Sequence, residues 1–376
     1  MSTRLSRAAA TLAAGLLLAA CGSGTSTGTS ATSTSTPTGT STTPGSTSTP
    51  TGSSTTPDST TGTTVTLVTH DSFNVDPAVL SDFEAASGVT VSLLSEEALA
   101  NQLILTKDNP LGDVAYGIDN TFASRAVDEG VFAPYTSPLL DQGSADYAFD
   151  AGNSLTAVDF GDVCVNVDHT WFTEKGLAEP VTFDDLLKPE YKDLLVVESP
   201  VTSSTGLAFL LGTVGHAGED GWQQYWTGLK DNGVKVVSDW NSAYYVDFSG
   251  SDGKGDRPLV VSYASSPPSE VKEGMTEAPT GTLLDTCFRQ VEYVGVLAGA
   301  KNPEAAQQVV DWMLSPEFQA GLPESMYVYP VDTATELPAD WAKYATVAPS
   351  PVTVDPATIA ANRDSWLQDW SDLLEG

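Results

Sequence analysis

Val65-Thr66-Leu67-Val68-Thr69, followed at once by His70-Asp71-Ser72-Phe73, is the stretch that opens the fold of this chain to reading. Its β-branched residues suit a buried, pleated strand, and the polar tetrapeptide after it ends the strand. Downstream, Val79, Leu80 and Phe83 recur at helical spacing within residues 75–87, and Gly88 supplies a stop. Val89 to Leu94 reads as a second strand, Ala98 to Thr106 as a second helix and Asp113 to Gly117 as a third strand. Strands alternating with helices make a parallel or mixed sheet, hence an α/β protein. The pattern returns as strand Leu194–Glu198, helix Gly206–Val214, and strands Val234–Val237 and Leu259–Tyr263. Ala305 to Leu314 is a further helix, ended by Ser315-Pro316, and Ile359 to Leu374 an amphipathic one with Trp366 and Trp370 four apart. No exact internal repeat is present.

Upstream of Val65 the composition changes twice. Arg4 and Arg7 precede an apolar run, Ala8 to Ala20, which is too short for a membrane span and reads as a signal peptide over residues 1–20. It ends Leu18-Ala19-Ala20-Cys21-Gly22, the pattern of a bacterial lipobox in which Cys21 becomes the lipidated N-terminus. Residues 21–64 are nearly all Ser, Thr, Gly and Pro, with Asp58 the one charge. Such a segment has too little apolar surface to offset the entropy of ordering, so it is expected to be a flexible stalk, with a root-mean-square span of about 35 Å. The chain is therefore expected outside the cytoplasm, anchored to the cell membrane through Cys21.

The 376 residues carry 16 Lys and Arg against 49 Asp and Glu, a formal charge of −33. A surface of that sign repels phosphate backbones and excludes nucleic acid as a natural partner. Enzyme signatures are missing too: the histidines are His70, His169 and His216, and no His-Glu-x-x-His, P-loop or Gly-x-Ser-x-Gly occurs. No metal site and no cofactor are expected.

In open α/β sheets, ligands sit beyond the C-terminal ends of the strands. Here those positions hold His70-Asp71-Ser72-Phe73, Asp119-Asn120, Thr202-Ser203-Ser204-Thr205-Gly206, Trp240-Asn241-Ser242-Ala243-Tyr244 and Tyr263-Ala264-Ser265-Ser266-Pro267. Hydroxyls, ring faces and a few carboxylates suit the gripping of a small polar ring compound rather than bond making. Each has a plainer reading. Trp240 and Tyr263 would also serve as core aromatics, and Asp119-Asn120 as a cap for the next helix. Ser203 to Thr205 can cap a helix and hold a ligand at once.

Taken in order, several short motifs resemble one family. They are Asp71-Ser72-Phe73, Gly117-Ile118-Asp119-Asn120, the Thr202–Gly206 loop, Trp240 with Tyr244, Ser262-Tyr263 with Ser266-Pro267, Leu314-Ser315-Pro316-Glu317-Phe318-Gln319 and Tyr329-Pro330-Val331. The set, spread over about residues 65–372, is similar to the substrate-binding proteins of thiamine ABC transporters. The resemblance implies a type II periplasmic-binding-protein fold, with two lobes joined by hinge strands and the ligand in the cleft between them. Lobe I would be 65–160 with 291–345 and lobe II 161–290, with a C-terminal helical segment, 346–376, packing on the body. It implies a monomer that captures thiamine or its phosphates and delivers it to ABC-transporter permease subunits. It carries ligand contacts onto Ser203, Trp240 and Tyr263, suggests Tyr327 as a ring-face residue, and puts a carboxylate at Glu96 or its neighbour Glu97. His70, Asp71, Asp119, Ser204 and Tyr244 complete the candidate set. His70 stands where relatives can have Tyr, and Ser269 where some have a Tyr that helps hold a phosphate on thiamine phosphate.

Cys164 and Cys287 remain after lipidation of Cys21, and an extracytoplasmic setting permits their disulfide. The rival readings are a ferric-ion binder using Tyr244-Tyr245, a polyamine binder, both on the same fold, and more remotely a secreted hydrolase using Asp71 or Asp119.

Overall fold

The computed structural model describes residues 62–70, 72–96, 99–251 and 255–374. The signal peptide, Cys21, nearly all of the stalk, Asp71 and Glu97 lie outside the described residues.

Among the described residues ten strands form one mixed sheet. They are β1 (Thr63–Thr69), β2 (Val89–Ser95), β3 (Val114–Asp119), β4 (Phe132–Ala133), β5 (Thr156–Asp168), β6 (Leu195–Glu198), β7 (Lys235–Val237), β8 (Leu259–Tyr263), β9 (Thr280–Leu297) and β10 (Tyr329–Pro330). The order is β2-β1-β3-β9-β5-β8-β6-β7, with β4 added on β9 and β10 on β5. The two long central strands, β5 and β9, run antiparallel along each other and belong to both halves of the sheet. At one end β9 pairs with β3, and at the other β5 pairs with β8.

The strand directions fix where a ligand can sit. Both β3 and β5 are antiparallel to β9, so β1 and β3 point the way β5 runs, toward the second half. Strands β6 and β8 are parallel to each other and antiparallel to β5, so they point back toward the first. The C-terminal ends of the two parallel sets therefore face one another across the middle of β5 and β9.

Among the described residues ten α-helices flank the sheet: α1 (Pro77–Ser87), α2 (Leu99–Leu105), α3 (Ala123–Asp128), α4 (His169–Lys175), α5 (Ser204–Ala217), α6 (Trp222–Asp231), α7 (Pro303–Met313), α8 (Pro316–Ser325), α9 (Ala339–Tyr344) and α10 (Pro356–Leu374). Helix α1 shows why the sequence signals were readable. The Asp76 carboxylate accepts the Ala78 N–H at 2.8 Å, Pro77 occupies the first turn, and Gly88 at φ 71° closes the helix. Helix α5 starts likewise, with Ser203 as its cap.

Among the described residues the three largest apolar cores follow from the sheet. In the first half, one face packs Val65, Tyr116 and Val294 against α7 and α8, and the other packs Val68, Ala115 and Phe160 against α2 and α3. In the second half Val163, Phe209, Trp226 and Phe288 form a core that α10 completes through Ile359, Trp366 and Trp370. The Trp366–Trp370 pair is thus core packing. Trp370 is fully buried, edge-on to Trp226. Helix α10 packs on α6 and also reaches α3.

At the middle of the long strands, Arg289 makes two hydrogen bonds to Asp162, of 2.8 and 2.9 Å, and lies over the Phe160 ring. Asp162 also accepts the Ala348 N–H, which pins the segment leading to α10 onto the crossing. Beside it, Cys164 of β5 and Cys287 of β9 form a disulfide, as the extracytoplasmic reading expected.

Candidate ligand-binding site

Two close approaches set the aromatic rings where the strand ends meet. Gly117, in β3 at φ 100°, lies against the His70 ring, where any side chain would collide with the imidazole. Gly161 of β5 likewise gives room to Tyr263; a Cβ there would come within 2.8 Å of the phenol ring.

On the first half, His70 follows β1 and is half-buried. Its Nδ1 is 3.1 Å from the Ser72 hydroxyl and its Nε2 3.5 Å from Glu292 Oε1. Asp119 ends β3. The expectation that Asp119-Asn120 caps the next helix does not hold. Asp119 instead accepts from the Thr121 N–H and hydroxyl and from the Gln290 amide of β9. Asn120 exchanges hydrogen bonds with the Arg289 carbonyl and the Val291 N–H. Helix α3 begins only at Ala123, behind Phe122, which provides no side-chain cap. Asn120 thus bonds backbone groups of β9 and Asp119 a β9 side chain, so both tie the β3 end to the crossing. Glu96 follows β2, half-buried, its N–H donating to the Thr69 carbonyl.

On the second half, Ser203 is half-buried and its hydroxyl receives the Gly206 N–H, while Ser204 is exposed at the first turn of α5. Trp240 opens a wide helical turn of π type, Ser242–Asp247, where the sequence suggested only a loop. Its indole N–H donates to the Ser262 hydroxyl at 2.9 Å, and its ring stacks on Tyr244 at 4.8 Å. Tyr244 is buried beneath it, its hydroxyl donating to Glu270. Tyr244 therefore supports Trp240 from behind, whereas Tyr245 is 50% exposed with its ring edge-on to both. Tyr263 ends β8, half-buried. Burial and the nearby carboxyls of Glu292, Asp119, Glu198 and Asp159 push its phenol well above the ordinary range. Tyr327 is 56% exposed at φ 59°, a left-handed conformation uncommon for a tyrosine, and its carbonyl accepts the Ser265 hydroxyl from the second half. Ser269 is exposed, its hydroxyl donating to the Ser266 carbonyl.

Of the four carboxyls around Tyr263, Asp119 was a candidate from the sequence; Asp159, Glu198 and Glu292 are the part of the site that the sequence reading missed. Asp159 and Glu292 sit on the long strands, with the Tyr116 hydroxyl between them. Glu198 ends β6 and is fully buried; neither of its carboxyl oxygens has a hydrogen-bond partner among the described residues. Burial pushes its carboxyl up to about 8; its own N–H and the Thr205 hydroxyl, close by but without a well-formed hydrogen bond to it, pull it back only in part. The available signal was an acidic residue inside an otherwise apolar strand.

Among the described residues no helix is long and apolar enough to cross a membrane, and no three His, Cys, Asp or Glu side chains are placed to hold a metal ion.

Residues 109–350 match the family model described as bacterial extracellular solute-binding protein. The chain is 30% identical over 313 residues to the thiamine-binding periplasmic protein of Escherichia coli (strain K12), covering 80% of this chain and 90% of that one. A solved structure titled periplasmic thiamin binding protein superposes with a TM-score of 0.71 at 27% identity, over 83% of this chain and 96% of the other. The ferric binding protein from Campylobacter jejuni superposes with a TM-score of 0.67 at 18% identity, over 82% and 99% of the two chains, a likeness of fold alone.

Proposed function

Because this chain belongs to the bacterial extracellular solute-binding proteins, in a group that includes thiamine-binding periplasmic proteins, we propose that it captures thiamine outside the cytoplasm and delivers it to an ABC importer. The family is one of solute binders, not enzymes, so what needs explaining is recognition. The observation that carries the reading is the company of Tyr263: an aromatic ring at a strand end, with Trp240 on the same half, surrounded by the carboxyls of Asp119, Asp159, Glu198 and Glu292. Thiamine joins a thiazolium cation to an aminopyrimidine. Aromatic faces attract a delocalised cation by about 0.5–2 kcal/mol each, and buried carboxylates add to that attraction.

In this proposal lobe I is 65–160 with 291–345 and lobe II is 161–290. They close by hinge motion about β5 and β9. Trp240, Tyr263 and Tyr327 offer ring faces, Glu96 and Asp119 carboxylates, and Ser203 and Ser204 hydroxyls at the start of α5, where a phosphate would also be welcome. Cys21 carries the lipid, and the stalk holds the body off the membrane. The ferric reading relied on Tyr244-Tyr245, but Tyr244 is buried with its hydroxyl already donating to Glu270.

Trp240→Ala tests the site. It is expected to weaken thiamine binding by about 1–3 kcal/mol, the loss of an aromatic anchor. Melting of the ligand-free protein should fall much less than in Trp370→Ala, where a fully buried ring is removed at about 3–5 kcal/mol. Calorimetry and thermal unfolding on both variants give the answer. A large loss of stability with affinity preserved would make Trp240 a core residue and remove it from the site.

A further inference from the structure

We infer that the buried Asp159–Glu292 pair is the seat of the bound ligand's positive charge, and that it releases a proton to solvent when that charge arrives; this rests on reading the ligand as the cation thiamine. The Tyr116 hydroxyl lies 2.5 Å from Asp159 Oδ2 and 3.2 Å from Glu292 Oε2. It has one hydrogen to give. With both carboxyls ionised, one acceptor beside it goes without a donor. Asp159 is fully buried, and its second oxygen, Oδ1, has no partner among the described residues. A second proton, carried by the pair, satisfies this arrangement, and so does a cation.

The surroundings favour the proton while the site is empty. The groups that face the pair are His70 after β1, Tyr116 and Asp119 of β3, Glu198 of β6 through Tyr263 of β8, and Gln290 of β9. Counting the pair itself, four carboxyls gather here, Asp159, Glu292, Asp119 and Glu198, and His70 is the one among the groups named that can carry positive charge. Arg289, on the same strand as Glu292, is committed to Asp162. Burial and the charge of Glu292 push the Asp159 carboxyl well above the usual range, against the Tyr116 hydrogen bond. Two carboxylates in a site of low dielectric cannot both stay ionised without a neighbouring cation.

An arriving thiazolium supplies that cation. The Asp159 O–H bond breaks, its proton goes to buffer, and the carboxylate left behind faces the ligand charge. No electrons move, and the site's net charge is the same before and after. The organic cation and the proton thus compete for one carboxylate, and affinity is coupled to pH.

The test is calorimetric titration of the full-length chain with thiamine, near neutral pH, in two buffers of different ionisation enthalpy. The wild type is expected to release about half to one proton per thiamine, and its affinity to rise up to about tenfold per pH unit from acid toward neutral pH. Asp159→Asn should abolish the release and flatten the pH dependence. His70→Asn and Glu198→Gln, which remove two other titratable neighbours, should keep the release and the pH dependence whatever they do to the affinity itself. Thiamine binding without proton release, or with a release that survives Asp159→Asn or vanishes in His70→Asn or Glu198→Gln, would overturn the inference while leaving thiamine as the ligand. Absence of thiamine binding in the wild type would overturn the ligand reading, and this inference with it. Should Asp159→Asn fail to fold, the wild-type pH profile with the other two variants decides.

Discussion

Cys164→Ala/Cys287→Ala is expected to lose about 4 kcal/mol of unfolding free energy. The two cysteines are 123 residues apart in sequence, so the bridge closes a long loop in the unfolded chain, where closure costs most entropy. In the folded protein it joins β5 to β9, the two strands that serve both halves of the sheet. Both cysteines are buried, packed with Ala264 and Ala348, so little of the loss can be recovered by repacking. Urea unfolding of the oxidised protein and of the double variant measures the difference. Equal midpoints, or two freely alkylatable thiols in the native wild type, would show that the bridge does not act.

Glu198→Gln should have a comparable effect of opposite sign, and only at higher pH. An unperturbed glutamate titrates near 4.5, whereas folding raises Glu198 to about 8. Below the lower value the carboxyl is protonated whether folded or unfolded, and it adds no penalty. Between the two values the folded protein keeps a proton that the unfolded chain has lost, so stability falls as pH rises, by about 1.4 kcal/mol per unit. By pH 8 the loss amounts to about 4 kcal/mol. Glutamine keeps the shape and removes the titration. The variant should therefore match the wild type at acid pH, exceed it in stability at pH 8, and show a flatter stability profile. Parallel profiles for the two proteins would mean that Glu198 is not held in its neutral form.

These two residue sets also show what the amino-acid sequence discloses and what it hides. The strands β1, β2, β6 and β8 and helices α5, α7 and α10 carry their signals locally, as apolar runs, caps and stops, and the sequence reading finds each to within a few residues. The two strands that define the architecture are less legible. Every residue of β5 is buried, so the two-residue alternation of a half-exposed strand is missing, and Asp159, Asp162 and Asn166 interrupt its apolar run. In β9, Asp285, Arg289, Gln290 and Glu292 do the same. Of these, Asp159, Asp162, Arg289, Gln290 and Glu292 lie where the two halves meet, and the partners there are far apart in sequence: Asp162 with Arg289, Asp119 with Gln290, Tyr116 with Glu292. Helix α6, with Trp222, Tyr225, Trp226 and Leu229 on one buried face, had a readable helical period that the sequence reading left unused.

The candidate site divides the same way. Residues just after strands were legible because strand ends are where α/β proteins bind ligands. Which of them face the junction and which stand behind was not. Tyr244 and Tyr245 are neighbours in sequence, yet one is buried under Trp240 and the other half exposed, because both lie within the π-type turn, which has no clear local signature and aims them differently. Asp119 of β3 was legible as a strand end, but the three carboxyls that join it around Tyr263 were not, because they come from β5, β6 and β9 only once the sheet forms.

Titration of the protein in a calorimeter with thiamine, its mono- and diphosphate, spermidine and ferric citrate tests the central claim most directly. The account predicts one-to-one binding of thiamine with a sub-micromolar dissociation constant, about −8 kcal/mol or tighter. Neither heat nor thermal shift with any thiamine species, together with binding of ferric ion or spermidine, would contradict it.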